Sequence, residues 1–351
     1  MEKLLILRLG AMGDIVHALP AAAALRRSFP SATIGWAVEQ RWSEMLCAAG
    51  AGGTATGSPE KPLVDRLHFI NTVAWRKALL SSAMWKEARS AMNALRAARY
   101  ELAVDFQGAW KSAGLALWSA APERIGSASP RERPAAIFYT RRVVLASPHV
   151  VDQNLELAAA VTGQDLEPAC FPLPCSTTSE TWCDAELRRR GLEDFALLSP
   201  GGGWGTKLWP AENYGEIAAA LGREGLPSLV NFGPGEEELA RTVQQSSAGA
   251  AQPIRCSLGK LIALTRRASL FIGGDSGPMH LAAALGLPVV AIFGPTDPAR
   301  NGPYGTRSTV LRHAASTTSY THHDRPDDAL RSIPAAEVLR AALRLLGAGN
   351  G

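Results

Sequence analysis

Gly273-Gly274-Asp275-Ser276-Gly277-Pro278-Met279-His280 stands between two apolar runs, Ala268-Ser269-Leu270-Phe271-Ile272 ahead and Leu281-Ala282-Ala283-Ala284-Leu285 behind. The pattern reads as strand, glycine-hinged turn and helix start. Such a turn aims free backbone N–H groups and the positive end of a helix dipole at one spot, which suits a diphosphate. Asp275 can accept from a hydroxyl or cap the helix, and His280 falls in the first helical turn. The plainer alternative is a capped βα turn with a packed histidine. The surrounding chain has to decide between them.

Outward from this stretch the same alternation recurs. In the second half, residues 195–198 and 227–232 read as strands, and 213–223, 236–245 and 258–267 as helices. Val289-Val290-Ala291-Ile292-Phe293 is a last strand running into Gly294-Pro295-Thr296. In the first half, residues 4–7, 32–38, 101–105 and 124–126 read as strands. Helices are expected over 15–27, 42–49, 84–98 and 150–161, with another starting near Trp110. Pro20 removes a hydrogen bond from the first of these. Residues 48–62, rich in Gly, Ala and Thr, read as a surface loop. Strand–helix alternation of this kind implies an α/β architecture with parallel, doubly wound sheets.

At 351 residues the chain exceeds the size at which one core keeps growing, so two domains are expected. Pro168, Pro172 and Pro174 punctuate a stretch of little periodicity. This sets a first Rossmann-like domain at 1–163, a linker at 164–178 and a second Rossmann-like domain at 179–330. A terminal amphipathic helix in 331–351 can pack back on the first domain.

The chain is 46% hydrophobic and 19% charged, the balance of a soluble globular protein. Its 36 basic and 32 acidic residues give a net +4, too mild to point to nucleic acid. Five cysteines form no CxxC pair, which suits a reduced, cytoplasmic compartment. The apolar run at 4–9 is short and carries Arg8, so it reads as a strand rather than a signal peptide. No run of 18 apolar residues occurs, which leaves only peripheral contact with a membrane.

Gly10-Ala11-Met12-Gly13-Asp14 follows the first strand but lacks the third glycine of the dinucleotide fingerprint, which disfavours a nicotinamide or flavin enzyme. Asp14 reads either as a helix cap or as a general base at the carboxyl edge of a sheet. His17, one turn on, reads as a packing histidine. Ser199-Pro200-Gly201-Gly202-Gly203-Trp204-Gly205-Thr206-Lys207 lets backbone approach a ligand, and Lys207 can neutralise a phosphate; the spacing is not that of a Walker loop. After the next strand, Glu236 can accept from ribose hydroxyls or simply charge the first turn of a helix. Trp75-Arg76-Lys77, Lys111, Arg131, Arg133 and Arg141-Arg142 mix basic and aromatic residues and can form an anion-binding face. His313, His322 and His323 lack a helical frame and a nearby cysteine, and no metal site is expected there.

Together these residues resemble the ADP-heptose:lipopolysaccharide heptosyltransferase family, glycosyltransferase family 9. The specific marks are the run from Gly13 to Pro20, Asp105-Phe106-Gln107-Gly108 with Lys111-Ser112-Ala113, Lys207-Leu208-Trp209-Pro210, the run from Asp275 to His280, and Gly294-Pro295-Thr296-Asp297-Pro298. The resemblance covers nearly the whole chain and weakens at 47–62 and 312–332. It implies the GT-B fold, two Rossmann-like domains facing a central cleft. The implied reaction is inverting transfer of heptose from ADP-heptose to a Kdo hydroxyl of Kdo-lipid A. Asp14 matches the family's general base. Lys207 and the amides around Ser276 and Gly277 would stabilise the departing diphosphate. Gly202 and Gly203 match donor-binding positions that carry hydroxyls in relatives, so only backbone donors remain here. Glu236 matches the ribose-binding acid, and Cys256 an apolar position beside the adenine. Asp275, Ser276 (in place of a threonine), Gly277 and His280 complete the donor set. Trp75, Arg76, Lys77, Lys111 and Arg131 become the acceptor face, suited to carboxylates and phosphates. The family's chemistry requires no metal or other cofactor, and the resemblance implies a cytoplasmic enzyme, peripheral at the inner membrane. Rival readings are a sister transferase with another acceptor or nucleotide sugar, a GT-B epimerase, and a non-catalytic nucleotide-sugar-binding protein. Trp75-Arg76-Lys77 and Lys111-Ser112 favour the Kdo-acceptor branch, and intact Asp14 and Lys207 argue against a non-catalytic protein.

Overall fold

The computed structural model describes residues 1–78, 80–164, 170–203, 205–319 and 327–347. Trp204, His322, His323 and residues 165–169 of the expected linker lie outside them. The chain divides into two compact units, Met1–Pro174 and Cys175–Gly351, and the division falls inside the stretch read as the linker.

In the first unit the apolar runs become six parallel strands: β1 (Lys3–Leu7), β2 (Thr33–Val38), β3 (Arg66–Phe69), β4 (Leu102–Asp105), β5 (Glu123–Ser127) and β6 (Arg141–Val143). Their order across the sheet is β3-β2-β1-β4-β5-β6. Leu4 to Leu7 pair with Ile34 to Ala37 on one side and with Leu102 to Asp105 on the other, and all four are fully buried. Burial on both faces explains why this strand is a continuous apolar run rather than an alternating one. Helices α1 (Met12–Ser28), α2 (Thr72–Lys77), α3 (Ser82–Ala97), α4 (Trp110–Trp118) and α5 (Val150–Thr162) cover the sheet. The alanine-rich α1 is buried over most of its length and packs on α5, whose Asn154 amide donates to the His17 carbonyl (2.9 Å). The His17 ring is buried edge-on to His149, which fits the packing reading of that residue.

The second unit repeats the plan. It starts with α6 (Thr177–Arg190), continues through β7 (Ala196–Ser199), α7 (Ala211–Arg223), β8 (Ser228–Asn231), α8 (Glu237–Ser246), β9 (Ala251–Ile254) and α9 (Leu258–Arg267), and reaches β10 (Leu270–Gly274) and α10 (Gly277–Ala284). β11 (Val289–Phe293), α11 (Pro298–Asn301), β12 (Ser308–Arg312), α12 (Asp328–Arg331) and α13 (Ala335–Gly347) complete it. The sheet order is β12-β11-β10-β7-β8-β9, again all parallel.

In the terminal helix, α13, Val338, Ala341 and Ala342 are fully buried against α7 and the strands β10 to β12 of the second unit. Residues 48–62 form the expected surface loop, with an anchor inside it. Lys61 is buried, and its ammonium donates to the carbonyls of Asp65 (2.9 Å), Gly52 (3.3 Å) and Thr54 (3.5 Å), folding the segment around a buried charge. The short helix expected over 42–49 is a 3-10 turn, Gln40–Met45.

Candidate functional site

Parallel strands place all their carboxyl ends on one edge of each sheet, so the loops leaving β1, β3, β4 and β5 share one edge in the first unit. β1 runs out into Arg8, whose side chain is only 7% exposed. The guanidinium donates to the Phe106 carbonyl and pairs with Asp14 Oδ1 at 2.6 Å. Asp14 sits in the first turn of α1, where Oδ2 accepts from the Ala11 N–H (3.0 Å). Its carboxylate is therefore a cap and, at 34% exposure, also open to a ligand. An ionised carboxylate has about four acceptor positions, and these contacts take two. Sequence reasoning missed Arg8 as a site residue. It also missed Trp42, whose ring lies over Gly10: a Cβ there would meet the indole Nε1 at 2.7 Å, so only glycine fits the turn. The Trp42 indole N–H is buried with no hydrogen-bond partner among the described residues.

One strand over, Asp105 ends β4 fully buried and accepts from the Gln107 N–H (2.8 Å), the Gly108 N–H (3.1 Å) and the Tyr139 hydroxyl (2.7 Å), with Ser112 Oγ 2.8 Å away. Burial pushes its carboxyl up from the ordinary value while these donors pull it down, with burial the larger effect. Asp105 thus pins the turn that opens α4. Gln107 from that turn accepts from the Leu9 N–H (2.8 Å), tying it to the Asp14 loop. Lys111 is exposed on the first turn of α4, and Glu132 caps that helix by accepting from the Trp110 N–H (2.7 Å). The Glu132 N–H in turn donates to the Gly108 carbonyl (2.9 Å), which sets exposed Arg131 beside the same turn. Trp75, Arg76 and Lys77 lie in the last turn of α2, beyond β3 and separated from β4 by β2 and β1. Trp75 is held by donation from Nε1 to Glu87 Oε1 (3.1 Å), while Arg76 and Lys77 are exposed. The structure thus brings Lys111 and Arg131 together and places the Trp75 group elsewhere on the same edge.

In the second unit the candidates follow the order of the strand ends. Thr296 follows β11, Asp275 to His280 follow β10, Gly201 to Lys207 follow β7, Glu236 follows β8 and Cys256 follows β9. Asp275, its side chain 4% exposed, pairs with Lys207 Nζ at 2.5 Å and lies 3.1 Å from His280 Nε2. Burial pushes the Asp275 carboxyl up, but the His280 hydrogen bond and charge together with the Lys207 ammonium outweigh it and hold the group well below the usual range. Since the folded value lies below the unfolded one, this carboxylate stabilises the fold at neutral pH. That contribution is lost as pH falls below about 4. Asp275 is therefore occupied in positioning Lys207 and His280. Gly202 is half-buried and Gly203 exposed, with open space where a Cβ would stand at 203. Cys256 is half-buried and forms no disulfide.

Three hydroxyls gather on these loops: Ser276 Oγ at the cap of α10, Thr206 Oγ1 and Thr296 Oγ1 are buried without a hydrogen-bond partner among the described residues. A buried hydroxyl left unpaired costs about 1–3 kcal/mol, so the cluster favours a polar ligand or ordered water. Sequence reasoning named Ser276 and missed Thr206 and Thr296 as site residues.

Glu236 Oε2 accepts from the Gly233 N–H (2.7 Å), and its carboxylate lies so close to Gly201 that a Cβ there would stand 2.1 Å from Oε1. Gly201→Ala should therefore displace Glu236. If Glu236 holds a hydroxyl of the ligand, the loss is that of a hydrogen bond to a charged group, about 1.5–3 kcal/mol, or roughly 10- to 150-fold in nucleotide affinity. Calorimetry with ADP reads this directly; unchanged affinity would remove Glu236 from the site. Among the described residues no three His, Cys, Asp or Glu side chains gather as a metal-binding set.

The family model "Glycosyltransferase family 9 (heptosyltransferase)" matches residues 88–328. The lipopolysaccharide heptosyltransferase 1 of Pseudomonas aeruginosa is 30% identical over 318 residues, 88% of this chain and 82% of the relative. The lipopolysaccharide heptosyltransferase 3 of Escherichia coli K12 is 26% identical over 353 residues, 95% of each chain. Among solved structures, the E. coli heptosyltransferase WaaC with ADP aligns with a TM-score of 0.77 at 26% identity, covering 96% of this chain and 98% of that one. The two parallel six-stranded units are thus those of the GT-B fold.

Proposed function

The chain belongs to glycosyltransferase family 9, the heptosyltransferases, and from that premise we propose that it is a heptosyltransferase I, moving heptose from ADP-heptose to a Kdo hydroxyl of Kdo-lipid A with inversion. The observation that carries the donor half is the sequence of strand ends in the second unit. Lys207, Ser276 and the start of α10 stand on β7 and β10 for the diphosphate; Glu236 follows on β8 for the ribose and Cys256 on β9 for the adenine. The switch in strand order between β7 and β10 is where open α/β sheets bind nucleotides.

In the first unit Asp14 takes the proton of the acceptor hydroxyl as its oxygen attacks the anomeric carbon. The bond from that carbon to the diphosphate breaks on the opposite face, and ADP leaves with its new charge met by Lys207 and the N-terminus of α10. In this reading no metal is needed to carry that charge. The acceptor is held by its carboxylates and phosphates on Arg76, Lys77, Lys111 and Arg131, with Trp75 as an apolar wall. Its lipid places the enzyme peripherally at the cytoplasmic face of the inner membrane.

A second reading, transfer onto another position of the core, has one observation in its favour: the match to heptosyltransferase 3 covers 95% of both chains. Kinetics of Arg76→Ala with Lys111→Ala tests the acceptor assignment. Charge-assisted contacts are worth about 1.5–3 kcal/mol and less where water screens them, so a Kdo-lipid acceptor should show a KM raised several-fold or more. The donor KM should stay near that of the parent protein. An unchanged acceptor KM would make these exposed residues ordinary surface charge.

A further inference from the structure

The surface of the first unit carries an apolar stripe that neither the donor nor the acceptor uses. On α4 the buried positions are Ser112, Ala113, Leu115 and Ala116, which face the sheet. Trp110, Leu117 and Trp118 point outward, each about half exposed, and 110, 114, 117 and 118 fall on one helical face. The stripe continues onto the next segment: the Trp110 ring stands edge-on to Phe138 with centroids 4.8 Å apart, and the neighbouring Ile137 is 66% exposed. Past the edge strand β6, Val144 is 84% exposed. Trp118 is fixed rather than loose: its indole Nε1 donates to the Met92 carbonyl (2.9 Å), and the Arg96 guanidinium lies over its ring.

Charge selects the occupant. Residues 82–144 hold ten Lys and Arg against five Asp and Glu, whereas the whole chain has a net charge of only +4. The segments that carry this stripe therefore hold a clear excess of positive charge. Of the five acids, Asp105 is buried, Glu132 caps α4 and Glu123 pairs with Arg141. Exposed tryptophans and aliphatics on a positively charged segment match the interface of an anionic bilayer, where indoles sit at headgroup level and basic side chains meet lipid phosphates. A second copy of this chain would bring the same positive surface and be repelled. α4 also begins beside Lys111 and Arg131, so the stripe extends from the proposed acceptor face. We infer that the outer face of α4, with Ile137 and Val144, docks the protein on an anionic phospholipid surface. The inference deepens the proposed function in one respect, since that reading gives the acceptor a lipid.

The test is co-sedimentation of the full chain with phosphatidylglycerol-containing vesicles and with vesicles of phosphatidylcholine alone. It compares the parent protein with Leu117→Gln/Ile137→Gln/Val144→Gln. These residues lie outside the donor and acceptor sets and are exposed, so melting and turnover of a delipidated acceptor should be unchanged. The parent protein should bind the anionic vesicles, release them at high salt and ignore the neutral ones; the triple variant should bind at least about tenfold more weakly. Equal binding by variant and parent would overturn the inference, as would no binding by the parent. So would a parent dimer, seen by light scattering, that the three substitutions dissolve. Vesicle binding is read without turnover, so a failure of the proposed reaction leaves this result separately legible.

Discussion

Asp14→Asn should lower turnover by about 10²–10⁴-fold, the worth of a positioned general base for a sugar hydroxyl that is a poor nucleophile near neutral pH. ADP affinity should stay within a few-fold, because Asp14 belongs to the first unit and the nucleotide candidates belong to the second. The fold will feel the change. Asn keeps an oxygen for the Ala11 N–H but removes the charge opposite the Arg8 guanidinium, which is 7% exposed. Breaking a fully buried pair costs about 3–5 kcal/mol. With a third of Asp14 solvated, about 1–3 kcal/mol is the appropriate scale. A variant that melts somewhat lower, binds ADP and scarcely turns over is the expected result. Near-normal turnover would leave Asp14 as a cap and Arg8 partner only.

Lys207→Ala should have the second largest effect, through the leaving group. Removing one donor or charge aimed at a developing anion typically costs about 2.7–4 kcal/mol, or 10²–10³ in kcat. The loss should fall mainly on kcat, because the diphosphate gains charge as the glycosidic bond breaks. The substitution also leaves Asp275 with the His280 ring as its remaining side-chain partner. A second variant separates the two roles. Lys207→Arg keeps a cation for Asp275, so it should restore stability more fully than turnover, since a forked guanidinium does not present its charge where the ammonium did. Equal loss in both variants of melting temperature and rate would mean that Lys207 acts only as a structural partner of Asp275.

What the sequence showed and what it hid follow from where residues sit in the sheets. The interior strands β1, β2, β4, β5, β7, β8, β10 and β11 were legible because apolar runs such as Leu4-Leu5-Ile6-Leu7 and Val289-Val290-Ala291-Ile292-Phe293 are buried on both faces. The four strands not read, β3, β6, β9 and β12, are the four sheet edges. Edge strands are short and polar, and they tolerate proline: β6 is Arg-Arg-Val, and β9 carries Pro253. α6 was hidden because its few apolar residues make no clear stripe, although its ends were signposted. Ser176 caps its start, arginines fill its last turn and Gly191 closes it in the left-handed conformation. In the site, a family motif pointed to Asp14, Lys207 and Asp275. No local pattern could reveal that Arg8 turns back to hold Asp14, that Trp42 covers Gly10, or that Gly201 is small to admit Glu236. The first depends on how the turn between β1 and α1 folds back, and the other two are contacts between segments far apart in sequence.

In the proposed reaction heptose passes from ADP-heptose to Kdo. Mass spectrometry of the product from ADP-heptose with Kdo-lipid A, run beside an acceptor that already carries heptose, tests it most directly. The expected product is Kdo-lipid A carrying one added heptose, with the anomeric configuration inverted and ADP released only when that acceptor is present. Addition to the heptose-bearing acceptor alone, or release of ADP from the donor without any acceptor, would contradict it.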